Sequence, residues 1–507
     1  MVVVALGYRY TLGEQDLVRM VAGVVYGAAT GDQIFAGHHY GVKFSFGYYQ
    51  LLYRLLPASA LRDPGQIAML VNYLGIGFAF LFALSLGLML GKFVDRGVAA
   101  FSTISFLFCP VVLPFLASAH PMIGACAFLF LACWLLLLAG QAMQARAAAM
   151  FMLLAFAALV AGLCLRGEIA FAFPFVALAY WTSRARQKSL NLVRAISAGL
   201  VIGLAFGAFH YLQRPFVSAE GGAASALAAY FEFASSTRLA RGLAVLTLSL
   251  GLATSVLLGL TIGLRAKQYR AHLPLVLACL TLIVPTLLFW LPNPQPARHF
   301  VISILGLYIL LGQFWADKLV DVKSAIFAAF LLVLANQAGA ELGRSIIEKS
   351  YQWSYDTGTL RRATQQVPLG FFPLDQRANI ASQEILRAEA LQLGASRPER
   401  LLILADMQHY LIAQLVANDP SLRIVPATVG PFDALLLTGA TRKIYLIEKY
   451  IYWPKDVLSE ILTLPAFASY PIYVQKASQS RYDKELLTKD RKYHLSETYF
   501  DNDEKTR

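Results

Sequence analysis

Charge is scarce in this sequence. Only 14% of its 507 residues are charged, against roughly a quarter in an ordinary soluble domain, while 58% are hydrophobic and the mean hydropathy is +0.57. That shortage excludes a soluble globular protein. Cysteine is scarce too: the five present (Cys109, Cys126, Cys133, Cys164, Cys279) fall inside apolar runs. None has the paired spacing of a zinc or redox site, so no disulfide or thiol chemistry is expected. The sequence contains no Asn-x-Ser/Thr sequon, which favours a bacterial inner membrane over a eukaryotic secretory one. No internal repeat of fixed period is visible. What the sequence has instead is a series of apolar runs of about twenty residues, continuing to residue 342, each able to cross a hydrocarbon core about 30 Å thick.

The formal charge of +13 suggests nucleic acid until it is divided at residue 342. Residues 1–342 hold 22 Lys+Arg against 11 Asp+Glu, and residues 343–507 hold 21 against 19. The basic excess therefore belongs to the membrane half and reads as topology, with no nucleic-acid partner implied.

Ten spans are predicted, centred near residues 78, 108, 130, 156, 175, 203, 252, 282, 307 and 332. The connecting loops alternate in character. Lys92, Arg96, Arg146, Arg184, Arg186, Lys188, Arg194, Arg265, Lys267, Arg270, Lys318 and Lys323 all fall on one side, which the positive-inside rule makes cytoplasmic. The opposite loops after residue 67 carry five basic residues, and segment 11–66 adds four. Trp181, Trp290 and Trp315 sit at span ends, as interfacial aromatics do. Segment 11–66, the loops at 118–121, 165–168, 214–240 and 292–299, and the tail from 343 then lie on the outer face.

Residues 1–10 (MVVVALGYRY) are apolar but cover only about 15 Å as a helix. Either a full first span is clipped here, giving eleven spans, or this is a short interfacial helix; the pattern does not suit a secretory signal. From residue 343 the composition becomes that of a soluble domain. The runs LLILA (401–405), DALLLTG (433–439), KIYLIE (443–448) and YPIYVQKA (470–477) are strand-like, and 378–394 and 408–418 are helix-like. The fold class expected is a polytopic α-helical membrane protein of about 10–11 spans (1–342) with a small C-terminal α/β domain (343–507) on the outer face.

Polar groups at the outer boundary are where chemistry is sought, because ionisable side chains there are costly. Glu14 and Asp16, in Gly13-Glu14-Gln15-Asp16, precede an amphipathic segment with His38, His39, Tyr40 and the aromatic run Phe44 to Tyr53, which includes Tyr48. Two carboxylates so spaced suit a general base or a metal ligand, or simply begin a helix at its positive end. Arg166-Gly167-Glu168 is a charged pair in a very short hairpin, readable as a local ion pair. Arg298 and His299 enter the membrane at the head of a span. An arginine there suits bidentate phosphate binding, and snorkelling to headgroups is the competing account. His120-Pro121, Glu232 and Arg238 read as structural.

With these parts in order, the chain resembles the GT-C superfamily of membrane glycosyltransferases, which includes the protein mannosyltransferases and aminoarabinose transferases. GEQD (13–16) stands where that family carries its acidic motif, and YGVKFSFGYYQLLYRLLP (40–57) is similar to its loop helices. HPMIGACAFLFLACWLLLL (120–138) is similar to its span opening with a polar-Pro pair. LRGEIAFAFPF (165–175) is similar to its Arg-containing hairpin, and ARHFVISILGLYILLG (297–312) to its late Arg-aromatic span. The chain departs from the family where Gln15 separates the two acids and where prolines are missing from 300–312.

The resemblance implies an inverting glycosyltransferase with a polyprenyl-phosphate-sugar donor, a lipid or glycan acceptor in the cell envelope, and contact with membrane lipid. Asp16 or Glu14 is the implied base, and Arg298, His299 and Arg166 the donor-phosphate ligands. His38, His39, Tyr40, Tyr48 and Glu168 are the implied substrate contacts. No cofactor is assigned; a divalent ion stays open. A transporter, or an O-antigen ligase or polymerase, is the rival reading. Paired halves and broken mid-membrane helices, which a transporter usually has, are not visible in the sequence.

Overall fold

The computed structural model describes residues 45–56, 64–117, 120–185, 192–214, 246–265, 272–290, 300–350 and four short strands after 400, with positions 20, 24, 239 and 243. Residues 1–8 and 72–375 form one compact unit, and residues 9–71 and 376–507 another.

The larger unit is helical. Its elements are α2 (Pro64–Phe93, entering from the other unit), α3 (Arg96–Leu107), α4 (Val112–Ala117), α5 (Pro121–Gln141), α6 (Ala145–Leu165), a 3-10 turn (Gly167–Ala172), α7 (Phe173–Ala185), α8 (Leu192–Gln213), α9 (Leu252–Leu264), α10 (Leu273–Trp290), α11 (Val301–Phe314) and α12 (Val322–Ser350). α1 (Phe46–Leu55) precedes them in the smaller unit. These helices need no polar face because both their surroundings, lipid and neighbouring helix, are apolar. Phe80, Leu153, Leu204, Leu288 and Phe327 are all more than half exposed, as lipid-facing side chains are. Inside, Phe82 packs against Phe106 and Phe130, joining α2, α3 and α5.

Helices cover nine of the ten predicted span centres. The exception is 108, where Phe108–Val111 separates α3 from α4: Pro110 has no N–H to continue the ladder. Five described helices are long and apolar enough to cross a membrane: Leu70–Phe93, Pro121–Gln141, Ala145–Leu165, Ile196–Gln213 and Val322–Gly339. Five more apolar stretches are shorter: Arg96–Leu107, Gly167–Leu178, Leu252–Leu264, Leu273–Leu288 and Val301–Phe314. The uniform spans expected near 108, 175 and 252 are thus replaced by broken ones. The causes are Pro110, the 3-10 turn before α7, and Gly251 with its positive φ of 100° before α9.

Helix ends gather as the loop alternation requires. The Arg265 guanidinium after α9 pairs with Asp317 after α11, and Gly97 at the start of α3 lies directly against the Leu319 carbonyl. Asp321 caps α12 at the same end, accepting from the Ser324 N–H at 2.8 Å. At the opposite end, Gly124 of α5 packs against Leu165 and Phe78.

In the smaller unit, α1 buries Phe46, Tyr48, Tyr49 and Leu52 along one face. Strands β1 (Leu401–Ala405), β2 (Arg423–Pro426), β3 (Lys443–Glu448) and β4 (Ile472–Lys476) form a wholly parallel sheet in the order β2-β1-β3-β4. Ile403 is paired with Ile424 on one side and Tyr445 on the other. The continuous apolar run of β1 suits its interior place in the sheet, between β2 and β3. Three strands coincide with predicted runs, and β2 is one that the sequence pattern missed. The run 433–439 and the helix-like stretches 378–394 and 408–418 lie outside the described residues.

Candidate active site

The hairpin between α6 and α7 is built by three glycines. Arg166 is extended (φ −158°, ψ 109°): its N–H closes α6 on the Gly162 carbonyl at 2.9 Å, and its own carbonyl accepts from Ile169 N–H to open the 3-10 turn. A Cβ on Gly162 would lie 2.7 Å from Ile169 Cδ1 and 3.1 Å from the Ala125 carbonyl oxygen. One on Gly167 would lie 2.9 Å from Phe209 Cζ of α8, and one on Gly124 3.0 Å from Leu165 Cδ1. The chain can therefore turn inside the bundle, not above it.

Two ionisable groups are carried inward by that turn. Arg166 Nη2 and Nε donate to the same oxygen, Glu168 Oε1, at 2.7 and 3.0 Å, and the side chains are only 8% and 12% exposed. Removing two charges from water costs several kcal/mol each, repaid only by good mutual geometry. A guanidinium in this position is a planar fork of five donors, two of which face Glu168. Its paired N–H groups suit an oxyanion that accepts two parallel hydrogen bonds, a carboxylate or a phosphate.

Nearby, the fully buried His120 caps α5, its Nδ1 accepting from Met122 N–H at 3.1 Å. This agrees with the structural role read from the sequence. Tyr48 is buried on α1 in the smaller unit, where burial pushes its phenol above the ordinary range. It can exchange hydrogen bonds but not protons near neutrality. Of the predicted site residues, the structure brings together Arg166 and Glu168; Glu14, Asp16, His38, His39, Tyr40, Arg298 and His299 lie outside the described residues. Among the described residues, no three His, Cys, Asp or Glu side chains are grouped as metal ligands.

No family model matches the sequence, and no curated protein matches it. The fold, however, is shared over almost the whole length with the crystal structure of ArnT from Cupriavidus metallidurans bound to undecaprenyl phosphate. That alignment covers 99% of this chain and 97% of ArnT with a TM-score of 0.51 and 13% identity. ArnT in the apo state aligns over the same shares at a TM-score of 0.50 and 12% identity. The chain shares the fold of ArnT. At this level of identity the likeness is one of architecture, and it agrees with the resemblance read from the residues.

Within this fold lies a buried neutral cluster formed by Thr254, Tyr308 and Asn336, which the sequence pattern did not reveal. A signal was available: Asn336-Gln337 is an adjacent amide pair inside an apolar run.

Proposed function

We propose that this protein is an inverting glycosyltransferase that moves a sugar from a polyprenyl-phosphate-linked donor to a lipid or glycan acceptor on the outer face of a bacterial inner membrane. The observation that carries the reading is the full-length likeness to an enzyme solved with undecaprenyl phosphate. The buried Arg166–Glu168 pair adds independent support, since an ionisable pair inside a membrane protein is costly and is usually tied to function.

In this reading Asp16 or Glu14 takes the proton from an acceptor hydroxyl, whose oxygen attacks the anomeric carbon as the bond from that carbon to the phosphate oxygen breaks. The leaving group is already a phosphate and needs charge stabilisation rather than protonation. Arg298, His299 and Arg166 are the groups assigned to supply it. His38, His39, Tyr40, Tyr48 and Glu168 are assigned to substrate contact, and residues 343–507 to an extracytoplasmic α/β domain. The parallel sheet bears on the α/β character alone, because linkers 406–422, 427–442 and 449–471 exceed the dozen or so residues that parallel crossovers need.

The helix breaks at 108 and 251 are a feature transporters share. Here neutral side chains satisfy the backbone, Asn336 and Tyr308 at 251 and Gln337 at 108, which favours transfer over ion-coupled transport. The test is to profile envelope glycans and glycolipids by mass spectrometry in cells lacking the protein, complemented at matched expression with wild type, Asp16→Asn or Glu14→Gln. A sugar restored by wild type and not by one of the two variants is the expected result. No missing sugar, or full restoration by both variants, would overturn the assignment.

A further inference from the structure

Two helices of the larger unit break at one level, and one pair of adjacent amides repairs both. Before α9 the chain turns through Gly251 at φ 100°, which frees backbone groups from the helical ladder. Leu250 carbonyl accepts from the Tyr308 hydroxyl at 2.8 Å, and Thr254 N–H donates to Asn336 Oδ1 at 3.0 Å. Asn336 Nδ2 in turn donates to Thr254 Oγ1 at 2.6 Å, and the hydroxyls of Thr254 and Tyr308 lie 3.2 Å apart. A Cβ on Gly251 would overlap the Asn336 amide, so the break and its cap fit only as a pair. At the other break, the Phe108 carbonyl accepts from Gln337 Nε2 at 3.2 Å. Neighbours on a helix point about 100° apart, which lets Asn336 serve α9 and Gln337 serve α3.

The level is common to all. At 1.5 Å per residue, α3 runs about 18 Å from Arg96 to its break, α9 about 20 Å from Leu264 to its break, and α12 about 21 Å from Val322 to Asn336. All are measured from the end that carries Arg265 and Asp317, so the node lies in the half nearer the Arg166 hairpin. Lipid offers no partners for freed N–H and C=O groups, and irregular backbone persists only where protein satisfies it. Every one of the bonds named is neutral and comes from α9, α11 or α12 or a break residue.

We propose that Asn336, Thr254 and Tyr308 are positioning residues: they fix the direction in which the chain before α9, the start of α11 and the end of α12 leave the membrane toward the outer face. The role is for the proposed transfer and rests on that reading. None of the three touches the reacting atoms in this account, so the effect is on arrangement, not on donor binding. α11 follows directly on Arg298 and His299 in the chain, and α12 leads into the C-terminal segment.

The test uses the full chain in nanodiscs, as wild type, Asn336→Ala, Thr254→Val and Thr254→Ser. Spin labels at the exposed positions Leu243 and Tyr211 report the arrangement. Wild type and Thr254→Ser should give one narrow distance distribution; Asn336→Ala and Thr254→Val should broaden it. With an undecaprenyl-phosphate-linked sugar, the same two variants should lose at least tenfold in kcat with donor KM within twofold of wild type, and Thr254→Ser should restore kcat. An unchanged distribution overturns the proposal, as does a broadened one with unchanged kcat. If wild type consumes no polyprenyl-linked donor, the transfer reading fails and the distances alone decide the node. If Asn336→Ala does not fold, Thr254→Val, nearly isosteric, carries the test.

Discussion

Two arginine–carboxylate pairs stand at opposite ends of the larger unit and differ in everything but chemistry. Arg265 meets Asp317 at 2.6 Å with the carboxylate side chain 52% exposed; Arg166 meets Glu168 at 2.7 Å with both side chains nearly enclosed. The exposed arginine is held on several sides: it donates to the Phe314 carbonyl at 2.7 Å and lies 4.2 Å over the Trp315 ring. Trp315 Nε1 in turn donates to Thr261 Oγ1 at 2.8 Å. That end is a clamp joining α9 to α11, and its ion pair is the dispensable part, since screened surface pairs contribute little. The enclosed pair carries both of its charges out of water. Stability alone does not explain its burial, because well-packed apolar residues would serve as well or better. The difference teaches where to look for function.

The largest expected effect comes from unbalancing the enclosed pair. Glu168→Gln keeps the shape and removes the carboxylate charge that Arg166 meets in a buried setting, so it should destabilise the purified protein by about 3–5 kcal/mol in denaturant unfolding. Asp317→Asn in the same assay should be much closer to wild type. Next is the packing that sinks the hairpin: Gly162→Val forces branched carbons against Ile169 and the Ala125 carbonyl, an overpacking cost of about 1–3 kcal/mol. Gly199→Ala, in open space on α8, should change stability by about 0.5–1 kcal/mol in the opposite, stabilising direction. A Gly162→Val variant as stable as wild type would show that the hairpin is not seated as described.

Smaller again is Trp315→Phe, which removes one hydrogen bond and weakens the stack under Arg265, at about 1 kcal/mol in thermal unfolding. The smallest effect is acid titration of the clamp. Asp317 is held below its ordinary value of 3.8, chiefly by its hydrogen bond from Arg265. A depressed carboxylate contributes stability that is present above 3.8 and is lost as pH falls through the lower folded value. Asp317→Asn should flatten that acid limb near and below pH 4, and an unaltered limb would remove the pair from the account.

How much of this was legible in the sequence depends on which signal carried it. Helices appear at nine predicted centres because an apolar run of membrane length has few alternatives in lipid. Loop alternation placed Arg265, Lys318 and Arg96 together, and the structure joins those chain segments at one end. Arg166 and Glu168 were legible as a pair because a two-residue separation across a glycine leaves them little choice. Their depth was not, because it depends on Gly124, Gly162 and Gly167 being opposite Leu165, Ile169 and Phe209, which is tertiary information. The breaks at Pro110 and Gly251 were hidden by apolar neighbours that hydropathy averages over. Asn336 caps a helix 82 residues away in sequence, a relation no local pattern encodes. β2 was missed because its four residues, Arg423–Pro426, begin with a charge and end in proline.

In the proposed function the enclosed pair serves a phosphate lipid while the exposed pair serves only the fold. The most direct test is native mass spectrometry of the purified full chain with undecaprenyl phosphate and, separately, with undecaprenol, for wild type, Arg166→Gln and Asp317→Asn. Wild type and Asp317→Asn should retain the phosphate lipid in preference to the alcohol, and Arg166→Gln, checked for folding by its unfolding transition, should bind it at least tenfold more weakly. Equal binding of phosphate lipid and alcohol by wild type, or undiminished binding by a folded Arg166→Gln, would contradict it.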